Sequence, residues 1–311
     1  MVKVSYLGPA GTFTEAALLQ LAANHPDIIA PADELEAVPA SSPMEALAMV
    51  RQGEVCFACI AIENSVDGPV TAAFDALCTG PELQIFAETE LDVVFSILVR
   101  EGTELADIQT LSAHPVGLQQ VRDWAENNVP DARLIPASSN AAAAVDVAEG
   151  RIDAAAAPAR AGELLGLATL AAGIADVRGA RTRFVLVGQP AVPTAPTGRD
   201  RTSVAFTLPN EPGTLVTAMT EFSIRDIDLT RIESRPTRQA LGVYRFYIDC
   251  SGHIADPIVA EALQALYRRV QDLRFLGSWP AESRAKLQDA CPPDISEAQD
   301  WVASRMNGKR G

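Results

Sequence analysis

Metal-binding and aromatic side chains are scarce in this chain. Aromatics make up 5% of its 311 residues, histidine occurs three times, and cysteine five times, at Cys56, Cys59, Cys78, Cys250 and Cys291. Cys56-Phe57-Ala58-Cys59 spells a CxxC, yet no second pair accompanies it, and in an apolar strand residues three apart face opposite sides. No metal site is expected. An odd number of cysteines also fits reduced thiols better than a disulfide framework. Positive charge is short as well: 25 Lys and Arg against 40 Asp and Glu leave a formal net charge of -15. That surplus disfavours nucleic acid and anionic membranes as partners. No apolar run reaches 18 residues, and Met1-Val2-Lys3-Val4-Ser5-Tyr6 lacks the basic start and long apolar stretch of a leader. A cytoplasmic protein is expected, in which any anion site is assembled locally from arginines or backbone amides.

What the chain does have is a 48% hydrophobic content arranged in alternating short apolar runs and helical stretches from residue 1 to about 188, the pattern of an α/β architecture. Val2 to Tyr6 reads as a strand. Gly8-Pro9-Ala10-Gly11 then turns into a helix with Phe13, Ala17, Leu18 and Leu21 on one face, and with Thr12 and Glu15 spaced as a capping box. Ser42-Pro43-Met44-Glu45 opens a second helix to about Gln52. Ala58 to Ile62 reads as a buried strand ending at Glu63-Asn64-Ser65. Further strands are expected near 83–99, 108–112, 132–135, 153–157 and 182–188, with helices near 70–78, 116–127, 139–149 and 158–171. Two α/β lobes with crossing connections and a cleft between them account for so many elements.

Three prolines in residues 189–201 mark a linker. The stretch 202–279 then reads β-α-β-β-α-β: strands at 202–208, 228–235, 243–250 and 273–277, with helices from about 213 and 257. This is the order of a ferredoxin-like module. Residues 280–311 form a polar tail with one helix expected from Asp294.

Several short motifs could carry chemistry, and each has an ordinary structural use. The Gly8–Gly11 turn aims free helix amides at a carboxylate or phosphate, but any strand-to-helix turn does the same. Glu63-Asn64-Ser65 sits where a buried strand meets a loop, the usual ligand edge of an α/β sheet. Thr182-Arg183-Phe184 sets a hydroxyl, a cation and an aromatic at the start of a strand. His114-Pro115, followed by Gln119, opens a helix, where a histidine commonly serves as a structural hydrogen-bonding group.

Taken together, Gly8-Pro9-Ala10-Gly11-Thr12-Phe13, Glu63-Asn64-Ser65 with Gly68, His114-Pro115 with Gln119, and Thr182-Arg183-Phe184 resemble the motifs of prephenate dehydratases in order and rough spacing. The resemblance continues through 202–279 as an ACT regulatory domain, carried by Gly213-Thr214-Leu215-Val216 and Glu233-Ser234-Arg235-Pro236. It implies a catalytic part (1–188) similar to the two-lobed periplasmic-binding-protein architecture, and decarboxylative dehydration of prephenate to phenylpyruvate without a cofactor. By that resemblance Thr182 serves the departing hydroxyl, while Gly11, Thr12, Phe13, Asn64, Ser65, Gln119, Arg183 and Phe184 bind or shape the substrate site. The ACT module implies phenylalanine as effector, held by Asn210, Gly213, Thr214, Leu215 and Val216. Glu233, Ser234, Arg235 and Pro236 border that site at a subunit interface. Dimers paired into tetramers are implied too.

Two departures stand out: Thr214 replaces the common alanine of Gly-Ala-Leu-Val, and Val116-Gly117-Leu118 differs from the residues usual after the histidine. A monofunctional enzyme is expected, since the chain opens directly on the first strand. Arogenate in place of prephenate, or a noncatalytic amino-acid sensor, are the competing readings.

Overall fold

The computed structural model describes residues 1–237, 242–282 and 293–307. Residues 238–241, Cys291 and other parts of the tail fall outside them. The chain divides into two units, Met1–Leu83 with Ala87–Gln189, and Gln84–Phe86 with Pro190–Gly311.

The first unit runs β1 (Val2–Leu7), α1 (Phe13–Asn24), α2 (Pro26–Ile29), β2 (Leu35–Ala40), α3 (Pro43–Gln52), β3 (Phe57–Asn64), β4 (Gly68–Pro69), α4 (Thr71–Leu77) and β5 (Gln84–Asp92). It continues with β6 (Ser96–Val99), β7 (Thr110–Ala113), α5 (Pro115–Gln120), α6 (Arg122–Asn128), β8 (Arg133–Pro136), α7 (Asn140–Ala148), β9 (Ala154–Ala157), α8 (Ala159–Leu165), β10 (Ala168–Ala172) and β11 (Arg181–Gly188). Two sheets result. One has the order β2-β1-β3-β11-β5 with β4 on β3, and the other the order β10-β6-β9-β7-β8. The chain therefore enters the second lobe after β5 and returns to the first through β11, the crossing that a two-lobed reading requires.

Local chemistry explains the element boundaries. Thr12, Ser42 and Ser139 each accept the amide of the residue three ahead, from Glu15 (3.2 Å), Glu45 (3.2 Å) and Ala142 (3.0 Å), an interaction typically contributing about 1 kcal/mol. Glu15 departs from the capping-box expectation, because its carboxylate takes the Gly11 amide (2.7 Å) rather than that of the cap residue. In the first lobe Leu18 and Leu21 are fully buried against Val4, Tyr6 and Phe184, and each such side chain contributes roughly 1.5–3 kcal/mol. In the second lobe β9 is four buried alanines, and Ala141, Ala143 and Ala144 of α7 pack with two of them, Ala155 and Ala157. Small side chains on both partners let that helix lie close to its sheet.

Three expectations need correcting. Leu35–Ala40 forms a strand, paired in parallel with β1, where none was read: its Leu-Glu-Ala-Val-Pro-Ala sequence has a strand-breaking proline, tolerated because β2 is the edge of the sheet. The helix expected over 116–127 is two helices, broken at Val121 (φ -123°). The helix expected over 158–171 stops at Leu165, where Gly166 takes a left-handed conformation (φ 66°), and β10 follows, antiparallel to β6.

The second unit contains β12 (Asp200–Thr207), α9 (Thr214–Ser223), β13 (Leu229–Pro236), β14 (Tyr244–Ser251), α10 (Pro257–Tyr267), β15 (Gln271–Pro280) and α11 (Ser296–Met306). Its sheet order, β13-β14-β12-β15, is that of a ferredoxin-like βαββαβ fold. Val204, Phe206, Ile248 and Cys250 face α9 and α10, meeting Ala218, Phe222, Val259 and Leu266 in one core.

Candidate active site

Parallel strands present their carboxyl ends, and the turns that follow them, to the same edge of a sheet, and ligands of α/β proteins gather there. β1 delivers Gly8–Phe13 to that edge in the first lobe, and β3 delivers Asn64 and Ser65. In the second lobe β7 delivers His114 and α5, while β9, parallel to it, delivers Pro158, Ala159 and Arg160.

Asn64 and Thr182 are register partners on antiparallel β3 and β11, and the Asn64 Nδ2 donates to Thr182 Oγ1 at 2.9 Å. Thr182 is buried at 7% exposure, and its hydroxyl hydrogen has no acceptor among the described residues, so the group is held as an acceptor and left able to donate. The Asn64 side chain is itself fixed, because its Oδ1 accepts the amides of Val66 (2.8 Å) and Asp67 (3.2 Å). Ser65 exchanges two bonds with Arg181: its amide donates to the Arg181 carbonyl and its Oγ accepts the Arg181 amide, both at 2.8 Å. The strand ends carrying Asn64 and Thr182 are thereby clamped together.

Arg183 is placed differently from the expectation that it reaches substrate. It is buried, with its guanidinium ion-paired to Glu63 at 2.9 Å and to the fully buried Glu88 at 3.4 Å. Its charge is spent inside the first lobe. A register shift between Arg183 and Phe184 re-aims the strand, and Phe184 packs in the hydrophobic core with Tyr6 and Leu21. Its role is packing beneath the site.

Around the first turn, Gly11 has φ +86°, and a Cβ there would come within 2.9 Å of the Ala161 Cα, so only glycine allows α8 of the second lobe to approach. The Gly11 amide itself donates to Glu15 Oε2 at 2.7 Å. Thr12 donates its hydroxyl to the Leu7 carbonyl at 3.0 Å while capping α1, which makes it a structural hinge of the turn. Phe13 belongs to the cores of both lobes and meets Phe95 edge to face at 5.5 Å.

Two polar bridges join the lobes. Glu15 pairs with Arg160 at 3.1 Å, and burial together with the Glu15 charge pushes the neighbouring Tyr6 phenol above its usual range, an effect that Arg160 opposes. Gln120 donates from Nε2 to Asp67 Oδ2 at 2.8 Å. Gln119, the residue singled out from the sequence, is exposed, whereas Gln120 is 3% exposed and its Oε1 is buried without a hydrogen-bond partner among the described residues. Consecutive helical residues lie about 100° apart, so a one-residue shift decides which amide reaches the cleft. The signal for Gln120 was Gly117, three residues earlier on the same face: a Cβ at Gly117 would lie 2.6 Å from Asn140 Oδ1. His114 caps α5, its Nδ1 accepting the Val116 amide at 3.3 Å. Burial holds its imidazole below the usual range, partly offset by Asp67. Neither Asp67 nor Arg160 had been singled out in the sequence.

In the second unit, a hollow of about 220 Å³ is lined by Asn210, Gly213, Thr214, Leu215 and Val216, with Tyr244 and Phe246 of β14. That is below the ~300–1,000 Å³ of drug-sized sites and suits a small ligand. Thr214 Oγ1 donates to the carbonyls of Pro209 (3.1 Å) and Glu211 (3.0 Å), tying the turn to the helix. Glu233, Ser234, Arg235 and Pro236 run alongside on β13, opposite Tyr247, Phe246, Arg245 and Tyr244.

The family model described as prephenate dehydratase matches residues 4–192. Prephenate dehydratase of Corynebacterium glutamicum is 55% identical over 99% of this chain and 97% of its own length. The crystal structure of prephenate dehydratase in complex with L-Phe from Arthrobacter aurescens superposes with a TM-score of 0.84 and 40% identity, covering 99% of this chain and all of that one. A solved protein described as a novel type of quorum quenching acylase is 27% identical with a TM-score of 0.78, covering 90% of this chain and 98% of its own.

Proposed function

Since the chain belongs to the prephenate dehydratase family, we propose that it is a carbon-oxygen lyase converting prephenate to phenylpyruvate under feedback control by phenylalanine. The observation that carries this reading is the Thr182 hydroxyl, buried, oriented by Asn64 and with its hydrogen uncommitted. In the reaction the ring carboxylate leaves as carbon dioxide, its bonding electron pair enters the ring, and the C–O bond at the opposite position breaks to release hydroxide. Aromaticity drives the step. What the protein must add is a donor at the departing oxygen, worth most in a site where it is fixed beforehand. Thr182 is that donor, and as a weak acid it acts by hydrogen bonding. Asn64 holds it, Ser65 clamps the strand ends, and Gln120 has an amide oxygen and a bridge to Asp67 with which to position the substrate between the lobes.

The likeness to an acylase is the weaker guide to activity. Acyl transfer requires a nucleophile with a base in reach; the Thr182 partner is an amide, and burial drives the Cys59 thiol well above its usual range.

For control, the βαββαβ unit acts as an ACT domain that binds phenylalanine in the hollow beside Gly213, a reading supported by the L-Phe complex of the Arthrobacter relative. Residues 189–201 join it to the catalytic lobes. Glu233–Pro236 border the effector site in a dimer, pairs of dimers form the tetramer, and the enzyme works in the cytoplasm, consistent with no described helix being long and apolar enough to cross a membrane. Coupling between the sites of about 1–3 kcal/mol is sufficient for feedback.

The test is phenylpyruvate formation from prephenate and, separately, turnover of arogenate, each with and without phenylalanine. Prephenate turnover suppressed by phenylalanine is expected. A strong preference for arogenate would change the substrate, and binding without turnover would make the chain a sensor.

A further inference from the structure

Prephenate carries two carboxylates, this protein carries a net charge of -15, and Arg183, the arginine its motif offers, is neutralised by Glu63 and Glu88. The substrate charge must be met by another group. We infer that Arg160 receives a substrate carboxylate in the cleft, exchanging Glu15 for the ligand as it does so. The inference rests on the dehydratase reading and deepens it.

Position is the first support. Arg160 follows β9 at the carboxyl edge of its sheet, as His114 and Gln120 follow the parallel β7, and it faces the Gly11–Phe13 turn of the other lobe, where Ala161 touches Gly11. Availability is the second. Arg160 is bound only through Nε, to Glu15 Oε2, and its Nη1 and Nη2 have no hydrogen bond among the described residues. The side chain is 39% exposed, so the free edge of a planar, always-charged fork is open to a carboxylate. The third is the alternative open to Glu15: its carboxylate already accepts the Gly11 amide at 2.7 Å, so it remains hydrogen-bonded and buried when Arg160 turns to the ligand. Free of substrate, the pair neutralises two charges across the lobe seam; with substrate, Arg160 turns to the ligand while Glu15 stays on the Gly11 amide.

Opposite effects of the two partners separate this role from a purely structural latch. Arg160→Gln should raise the KM for prephenate by about ten- to a hundredfold, the worth of a hydrogen bond to a charged group, with kcat changed far less. Arg160→Lys should recover part of that loss, since it keeps the charge without the fork. Glu15→Gln, which keeps an acceptor for Gly11 and stops competing for Arg160, should lower KM. A latch predicts that both Gln variants shift KM the same way; that result, or an unchanged KM in Arg160→Gln, overturns the inference. Thermal unfolding of each variant checks that it is folded, and titration calorimetry with prephenate measures binding apart from turnover. A wild-type protein that binds prephenate without converting it, and loses binding on Arg160→Gln, supports the carboxylate role while sinking the dehydratase reading. A wild-type protein that does not bind prephenate overturns both.

Discussion

Replacing Thr182 by valine removes one hydroxyl and keeps the side-chain shape, which makes it the sharpest perturbation of the site. Two separate effects follow from the geometry. The Asn64 Nδ2 loses its acceptor at 2.9 Å. Because Asn64 is only half-buried and still bonds Val66 and Asp67 through Oδ1, the stability loss should sit near the lower end of the ~1–3 kcal/mol charged to an unsatisfied buried donor. The kinetic effect is larger. A donor fixed at the oxygen that leaves as hydroxide acts mainly in the transition state, and losing such a group costs about 10² to 10³ in kcat, or ~2.7–4 kcal/mol.

The assay is phenylpyruvate formation from saturating prephenate, with urea midpoints of the same protein measured in parallel. Thr182→Val should therefore lose turnover far beyond its loss of stability, with KM nearly unchanged, while Thr182→Ser retains most of the activity. If Thr182→Val turned over within about fivefold of the parent protein, the hydroxyl would not be the donor and the proposed chemistry would fail.

Arg183→Met should act on folding: leaving Glu88 buried without that cation costs roughly 3–5 kcal/mol in urea-melting experiments, while KM for prephenate stays within about twofold. Gln120→Ala should reduce kcat/KM at least tenfold, roughly the worth of one to two hydrogen bonds, and Gln119→Ala should leave it unchanged, a contrast read directly from steady-state kinetics. His114 is held below its usual value of 6.5 by burial, so the folded state resists its protonation. Its contribution to stability is complete above pH 6.5 and is lost as pH falls from there through the depressed folded value, because the unfolded chain then binds the proton first. His114→Asn, which can still accept the Val116 amide, should flatten the pH dependence of the urea midpoint over that window.

Much of this was legible because it is local. The caps at Thr12, Ser42 and Ser139 and the short apolar runs of β12, β13 and β14 are written within a few residues of each element, and those elements lie close to where the sequence puts them. What was not legible depends on partners far away in sequence. Nothing in Thr182-Arg183-Phe184 announces that Glu88, 95 residues earlier, pairs with the arginine, and the family resemblance alone assigns that cation to the substrate site. The same limit hid Arg160, whose significance comes from Glu15, 145 residues away, and from Gly11 lying against Ala161.

Gln119 and Gln120 fail for a subtler reason. Both lie in one short helix, both carry the same amide, and only the direction of the inward face separates them; Gly117 fixes that face because a side chain there would strike Asn140. A glycine inside a short helix therefore carried more positional information than the polar residue the motif drew attention to. The same holds at Gly11, whose missing side chain lets the two lobes meet and puts a glutamate and an arginine within reach of each other at the cleft. Charge in this acidic protein is managed by such contacts: one arginine is buried between two glutamates inside a lobe, and another pairs with Glu15 at the seam between the lobes.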